Sequence, residues 1–347
     1  MKQTKIQWCH STVNPVMGCD GCELWLSPAQ IVTKLLVTLN MTMTSGQLAT
    51  AVPQAVKAVV GDRTTSEIYS DREVIADDLT SLYALDKAGR KALVDVVRSA
   101  SKCYAGLLGT FRAGHKGYAD EFTQPKLFPE RMAKACWGAP TDAECAAKPW
   151  LHDTPRMVFI SDMGDALSKN VPFPYLKQEI IDVATSEAGQ RQLWLWLTKR
   201  PARMADFGRW LADQGIRWPD NLVAMTTVTS PATAGRVADL RKVPSRYKGL
   251  SCEPMFAALN LDLTGIDWCI AGGGSDVLAE SFHVEWALGL REQCRKAGTA
   301  FFLKQLGKHP VYKGQPLDLV NRHGGDWTEW PEAWRIREIP EGFRLKP

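Results

Sequence analysis

Gln192-Leu193-Trp194-Leu195-Trp196-Leu197 is a six-residue run with one polar side chain, flanked by Gln190-Arg191 before it and Thr198-Lys199-Arg200-Pro201 after it. A segment this short and this continuously apolar reads as a strand buried on both faces, as in a parallel sheet. The same rhythm recurs at Arg156-Met157-Val158-Phe159-Ile160-Ser161, Leu222-Val223-Ala224-Met225-Thr226, Lys248-Gly249-Leu250-Ser251, Asp267-Trp268-Cys269-Ile270-Ala271 and Ala300-Phe301-Phe302-Leu303. Helical spacing fills most of the gaps, over 175–185, 201–214, 231–241 and 284–296. Buried runs alternating with helices predict an α/β fold with a parallel sheet, and so many units on short connections predict a (β/α) barrel or partial barrel. A further short strand is expected at Lys5-Ile6-Gln7-Trp8, where polar and apolar residues alternate.

In such folds ligands lie beyond the carboxyl ends of the strands. Every expected end carries a polar, charged or glycine cluster: Ser161-Asp162-Met163-Gly164-Asp165, Thr198-Lys199-Arg200, Thr226-Thr227, Ser251-Cys252-Glu253-Pro254, Gly272-Gly273-Gly274-Ser275 and Lys304-Gln305-Leu306-Gly307. Lys199 and Arg200 offer donors for a carboxylate or phosphate, Arg in a bidentate fork. Asp162 and Asp165 could orient an amine or move protons, and Glu253 could accept from a ligand hydroxyl or ammonium. Cys252 is a candidate nucleophile or radical partner. The glycines allow a ligand to approach the backbone closely, or simply make a tight turn.

The chain of 347 residues is long enough for one large barrel or two medium domains. Hydrophobic residues make up 45% and charged residues 23%, the composition of a globular protein, and a net charge of +4 permits a nucleic-acid partner without requiring one. Nine cysteines, an odd number, argue against a disulfide framework. With no leader-like opening and no run long enough to span a bilayer, the expectation is a cytoplasmic protein with no membrane partner.

Six of the cysteines are scattered, but Cys19 and Cys22 have metal-ligand spacing inside Gly18-Cys19-Asp20-Gly21-Cys22. Cys103, in Ser101-Lys102-Cys103-Tyr104-Ala105-Gly106, is the candidate third sulfur. Between them, 27–100 has helical spacing throughout, with starts at Ser27-Pro28 and Thr64-Thr65-Ser66-Glu67. The expected organisation is a barrel from 1–26 and 101–310, a helical insertion over 27–100, and a carboxyl-terminal extension over 311–347. Three thiolates suit a four-iron cluster with one open iron, while His10 as a fourth ligand would suit zinc; spacing leaves both open. After Cys103, Phe111-Arg112-Ala113-Gly114-His115-Lys116-Gly117-Tyr118 reads as a basic, aromatic loop able to meet a phosphate or a base.

Taken together, Trp8, Asn14-Pro15, Gly18-Cys19, Cys22 and Cys103-Tyr104-Ala105 resemble a phage and bacterial three-cysteine family, long catalogued as of unknown function and related to radical S-adenosylmethionine enzymes. The blocks Phe159-Ile160-Ser161-Asp162-Met163, Leu197-Thr198-Lys199-Arg200-Pro201, Leu250-Ser251-Cys252-Glu253-Pro254 and Ala271-Gly272-Gly273-Gly274-Ser275 extend the resemblance over 5–23 and about 101–307. Two departures stand out: 80 residues separate Cys22 from Cys103, and Gly274-Ser275 replaces the family's acidic position.

The resemblance implies a partial barrel of radical S-adenosylmethionine type, with a [4Fe-4S] cluster on Cys19, Cys22 and Cys103 and S-adenosylmethionine on the fourth iron. Its reductive cleavage would give a 5′-deoxyadenosyl radical. Gly272 and Gly273, with Gly274 and Ser275 beside them, would face the methionine moiety, and Thr226, Thr227 and Glu253 the ribose or substrate. Phage members are associated with DNA hypermodification. The expected activity is therefore isomerisation of a thymine carrying a glycine-like adduct, in DNA or as a nucleotide, with an electron donor such as flavodoxin or ferredoxin, in the host cytoplasm if phage-encoded. Asp162, Asp165, Lys199, Arg200, Cys252 and Glu253 are the candidate catalytic residues. Alternatives are a pyrimidine repair lyase similar to spore photoproduct lyase, and a metal-stabilised DNA-binding accessory protein without catalysis.

Overall fold

The six apolar stretches, joined by Ser11–Val13, form one parallel sheet in a computed structural model that describes residues 4–42, 51–275 and 279–345. The strands are β1 (Ser11–Val13), β2 (Arg156–Ile160), β3 (Gln192–Thr198), β4 (Leu222–Thr227), β5 (Lys248–Cys252), β6 (Trp268–Gly272) and β7 (Ala300–Gln305). Each pairs in parallel with the next in sequence, and β1 and β7 are the two edges. The fold is therefore α/β, with the sheet curled into a half-barrel.

The continuous apolar runs are explained by two cores on the two faces. Trp194, Trp196 and Leu250 pack with Phe207, Leu240 and Leu290 from the helices Pro201–Ala212, Arg236–Arg241 and Val284–Ala297. On the other face, Phe159, Leu195, Met225 and Trp268 pack with Trp8 and with Ile339 and Phe343 near the carboxyl terminus. Each such side chain taken from water contributes on the order of 1.5–3 kcal/mol, which binds both layers to the sheet. The edge at β7 is covered: Leu303 N–H donates to Ile336 O at 2.8 Å and Glu338 N–H to Phe301 O at 2.9 Å, so the open edge cannot template another strand.

Lys5–Trp8 is not a strand. Its carbonyls turn to side chains instead: Lys148 Nζ donates to Thr4 O, Ile6 O and Cys9 O at 3.0, 2.7 and 2.6 Å, and Trp150 Nε1 donates to Gln7 O at 2.8 Å. The first strand begins three residues later, at Ser11.

The chain divides into two compact units, one of residues 1–17 with 127–347 and the other of 18–126. The second is helical: α1 (Pro28–Thr42), α2 (Ala51–Val60), α3 (Thr65–Ser70), α4 (Arg72–Leu82), α5 (Lys87–Ser99) and α6 (Tyr104–Phe111). Both expected starts are capped. Ser27 and Gln30 exchange backbone and side-chain bonds, and Thr64 and Glu67 form a capping box. Ile31, Leu35, Leu79, Leu93 and Val97 make its core. The unit runs wider than 27–100, taking in the cysteine loop at one end and α6 at the other. Among the described residues, no helix is long and apolar enough to cross a membrane.

Candidate functional site

The helical unit carries the three cysteines, and its chain path gathers them. Cys22 and Trp25 exchange backbone bonds across a tight turn, Cys22 N–H to Trp25 O at 3.1 Å and Trp25 N–H to Cys22 O at 3.0 Å. Leu24 O, inside that turn, accepts both Lys102 N–H and Cys103 N–H at 2.9 Å. One residue further out, Leu26 N–H donates to Ala100 O at 3.0 Å, and Trp25 bridges Ser101. The helices α1–α5 are thus closed at a neck, and the neck sets Cys103 beside the Cys19-x-x-Cys22 turn although 80 residues lie between.

The glycines there answer to packing. Gly18 and Gly21 have φ of +87° and +93°, and a Cβ would stand 2.6 Å from Phe122 O and 2.8 Å from Trp25 O respectively, a conformation and a closeness that only glycine tolerates. Gly106 and Gly109 of α6 lie directly on Trp25 and Phe122, whose rings meet edge to face at 5.4 Å. A buried aromatic wedge therefore fixes α6 against the cysteine turn.

The donor chemistry fits a thiolate cluster. Cys22 Sγ accepts Leu24 N–H at 3.4 Å, and Cys103 is the N-cap residue of α6. Cys19 is buried, and Cys22 and Cys103 are half-buried. Among the described residues no three His, Cys, Asp or Glu side chains already stand as a metal-ligand group, so binding requires the three Sγ atoms to converge. His10 does not offer itself for zinc. Its Nδ1 accepts Met157 N–H at 3.0 Å, which puts the ring proton on Nε2, and burial lowers its pKa to about 4.

In the sheet unit the strand-end residues form three polar groupings. Asp165, 4% exposed, is saturated: it accepts from Thr198 Oγ1 at 2.8 and 2.9 Å, Leu167 N–H at 2.9 Å, Lys199 N–H at 3.1 Å and Arg200 Nη1 at 2.7 Å. A carboxylate held by this many donors serves to aim Arg200. Asn14 Nδ2 donates to Asp162 Oδ1 at 2.5 Å while its Oδ1 accepts Met163 N–H at 2.9 Å. Burial raises the Asp162 pKa, against the bonds from Asn14 and Thr12 that lower it. Glu253, joined to Pro254 by a cis peptide, pairs with Lys304, both side chains largely buried.

The remaining candidates are engaged in the fold. Thr226 Oγ1 donates to Thr198 O at 2.8 Å, and Thr227 O accepts from Arg236 Nη1 at 3.0 Å. At Gly273 a Cβ would meet Leu306 O at 2.6 Å and Phe282 Cβ at 2.7 Å. Its N–H and C=O bond Gln305 O and Nε2 at 3.1 and 3.0 Å, and Gly274 O accepts Lys308 N–H at 2.8 Å. This close packing accounts for the glycine run, Gly272 included, whose own Cβ would lie 3.1 Å from Gln305 O. Ser275 O lies 3.2 Å from His323 Nδ1. Cys252 Sγ is fully buried in the helix-side core, 3.9 Å from Cys269 Sγ. An open depression of about 450 Å³, walled by Arg217, Trp218, Pro244 and Arg246, sits near the amino ends of β4 and β5, away from all of these groupings.

The sequence offers Glu253, Asp165 and Asp162 as well as Lys304, Thr198 and Asn14, but not their pairing. Glu253 and Lys304 are 51 residues apart and meet through the β5–β6–β7 register, for which no local spacing exists.

The fold and these groupings define an α/β half-barrel protein with polar carboxyl strand ends and a cysteine-bearing helical unit. The chain belongs to the family described as protein of unknown function (DUF5131), which matches residues 94–330. No curated protein and no solved structure matches it.

Proposed function

We propose that this chain is a radical S-adenosylmethionine isomerase that rearranges a glycinyl-type amino-acid adduct on thymine in phage DNA. The observation that carries this reading is the neck closed by Leu24 and Leu26, which brings Cys103 to the Cys19-x-x-Cys22 turn across a long insertion. Cys19, Cys22 and Cys103 would hold a four-iron cluster, which with S-adenosylmethionine and an electron donor such as flavodoxin or ferredoxin would supply one-electron radical chemistry. Cys22 contributes a sulfur that accepts a backbone N–H, and Cys103 one at the amino terminus of α6.

The strand-end residues take the binding and proton roles. Arg200, aimed by Asp165 and Thr198, receives a substrate carboxylate, with Lys199 beside it in sequence. Asp162, its pKa raised by burial, holds or releases a proton while Asn14 donates to Oδ1. Glu253, balanced by Lys304, accepts from an ammonium or hydroxyl of the cofactor or substrate. Cys252 belongs to the core and is given no step.

Mass spectrometry of nucleosides from adduct-bearing DNA, incubated anaerobically with the protein, S-adenosylmethionine and reductant, tests the reaction class. Isomerisation gives a nucleoside of unchanged mass and altered retention. A nucleoside of changed mass, or none altered at all, rejects it.

A further inference from the structure

The loop that follows α6 is not used by the chemistry above, yet it has an unusual surface. Tyr104, Leu108 and Phe111 recur at helical spacing on α6 and are 51%, 38% and 79% exposed, although each is large and apolar. The chain then turns through Gly114 and Gly117, at φ of +72° and +92°, and is held compact by His115 N–H to Arg112 O and Tyr118 N–H to His115 O, both at 3.0 Å. Arg112, His115 and Lys116 are exposed on this turn, and the Arg112 guanidinium lies 6.0 Å from the centre of the Tyr118 ring. No Asp or Glu occurs anywhere in positions 96–119, whereas Arg98, Lys102, Arg112 and Lys116 do. The acids flanking this window, Asp95, Asp120 and Glu121, are engaged, Asp95 with Lys91 and Arg98, Asp120 with Lys126 and Glu121 with Thr123.

We infer that the face carrying Tyr104, Leu108, Phe111, Arg112, Lys116 and Tyr118 docks a single-stranded stretch of DNA, with bases on the rings and phosphates on the cations. Rings interleaved with cations, and no carboxylate among them, match a polyanion that has unpaired π-faces to offer. A protein partner fits less well, because an eight-residue helix spans only about 12 Å, little of the area a stable protein interface buries. The inference rests on the proposed function for its choice of DNA. A base taken from a duplex for chemistry leaves an unpaired strand to be held.

Fluorescence anisotropy of a labelled oligothymidylate with the full-length protein tests this without reference to iron or turnover. Wild type is expected to bind the single strand more tightly than the corresponding duplex. Phe111→Ala and Tyr118→Ala should each weaken binding roughly tenfold, as removal of a stacking ring does. Arg112→Ala and Lys116→Ala should each flatten the dependence of log affinity on log salt by roughly 0.7. Lys296→Ala, a cation of the sheet unit on the helix Val284–Ala297, should change nothing. Phe111 is mostly exposed, so its removal should leave the circular dichroism spectrum intact. The inference is overturned if wild type does not bind, if duplex binds equally well, if the ring variants bind like wild type, or if polyglutamate competes as well as unlabelled oligothymidylate. The last result would instead mark the face as a site for an acidic protein. Failure of cluster assembly or of S-adenosylmethionine cleavage would sink the proposed reaction and leave this binding result standing.

Discussion

Adding one methyl group should have opposite consequences at two helical glycines. Glycine to alanine in an open helix position gains about 1 kcal/mol from backbone entropy. Gly289, exposed in the helix Val284–Ala297, has nothing within 4 Å of the added Cβ, so Gly289→Ala should deliver that gain. At Gly106 the same methyl would stand 2.5 Å from Trp25 Cε3 and 2.7 Å from Cδ2. Trp25 is 1% exposed, its backbone is paired with Cys22 and its ring rests edge-on against Phe122, so it has nowhere to retreat. Overpacking of this kind costs about 1–3 kcal/mol and more than cancels the helical gain. The two variants should therefore differ by roughly 1–3 kcal/mol, Gly106→Ala being the less stable. Urea denaturation followed by circular dichroism, with slopes compared to exclude a changed denatured state, measures this. A Gly106→Ala protein as stable as Gly289→Ala would refute the packing of α6 on the cysteine turn.

Three further outcomes follow from buried charges. Arg156, its side chain 3% exposed, holds the Glu144 pKa down to about 2 through a two-pronged bond at 2.8 Å. Because the folded pKa is depressed, this stabilisation is complete above pH 4.5 and is lost as pH falls toward 2. Glu144→Gln should cost about 3 kcal/mol at neutral pH and flatten the acid limb of the thermal-stability profile in that window. His10 is also depressed, to about 4 from 6.5, but as a base, by burial first and then by Lys148 and Arg156. The unfolded chain takes up its proton first, so stability should fall by up to ~3 kcal/mol between pH 6.5 and 4, a slope that His10→Leu should remove in a pH series of melting curves. Lys304→Met should destabilise by about 3 kcal/mol by stranding Glu253, and the double variant with Glu253→Gln should recover part of that loss; additive losses in the double-mutant cycle would show the pair to be uncoupled.

Much of the architecture can be read from side-chain pattern because strands buried on both faces must be continuously apolar. Trp194 faces one core and Leu195 the other, and both have to be hydrophobic. Thr64 and Glu67 announce α3 for an equally local reason, the spacing that closes a capping box. Lys5–Trp8 carries the strand pattern without forming one, because Trp8 serves the inner core while Lys148, 140 residues on from Trp8, takes up the neighbouring carbonyls. Pairings such as Glu253 with Lys304 arise from sheet register and leave no local trace. Gly272–Gly274 read as room for a ligand; Phe282 and Leu306 occupy the room at Gly273. Cys103 carried no spacing signal toward Cys22, and its place beside the turn depends on the neck formed when five helices fold between them.

The most direct test of the cysteine assignment is iron and sulfide content with electron paramagnetic resonance, after anaerobic reconstitution of wild type and of Cys103→Ala, together with dithionite-driven cleavage of S-adenosylmethionine. The expected result is four irons and four sulfides per wild-type chain, a reduced-cluster signal that shifts when S-adenosylmethionine is added, and loss of cluster and cleavage in Cys103→Ala. A Cys103→Ala protein that keeps an intact cluster, or a wild type that takes up one zinc and cleaves nothing, would contradict it.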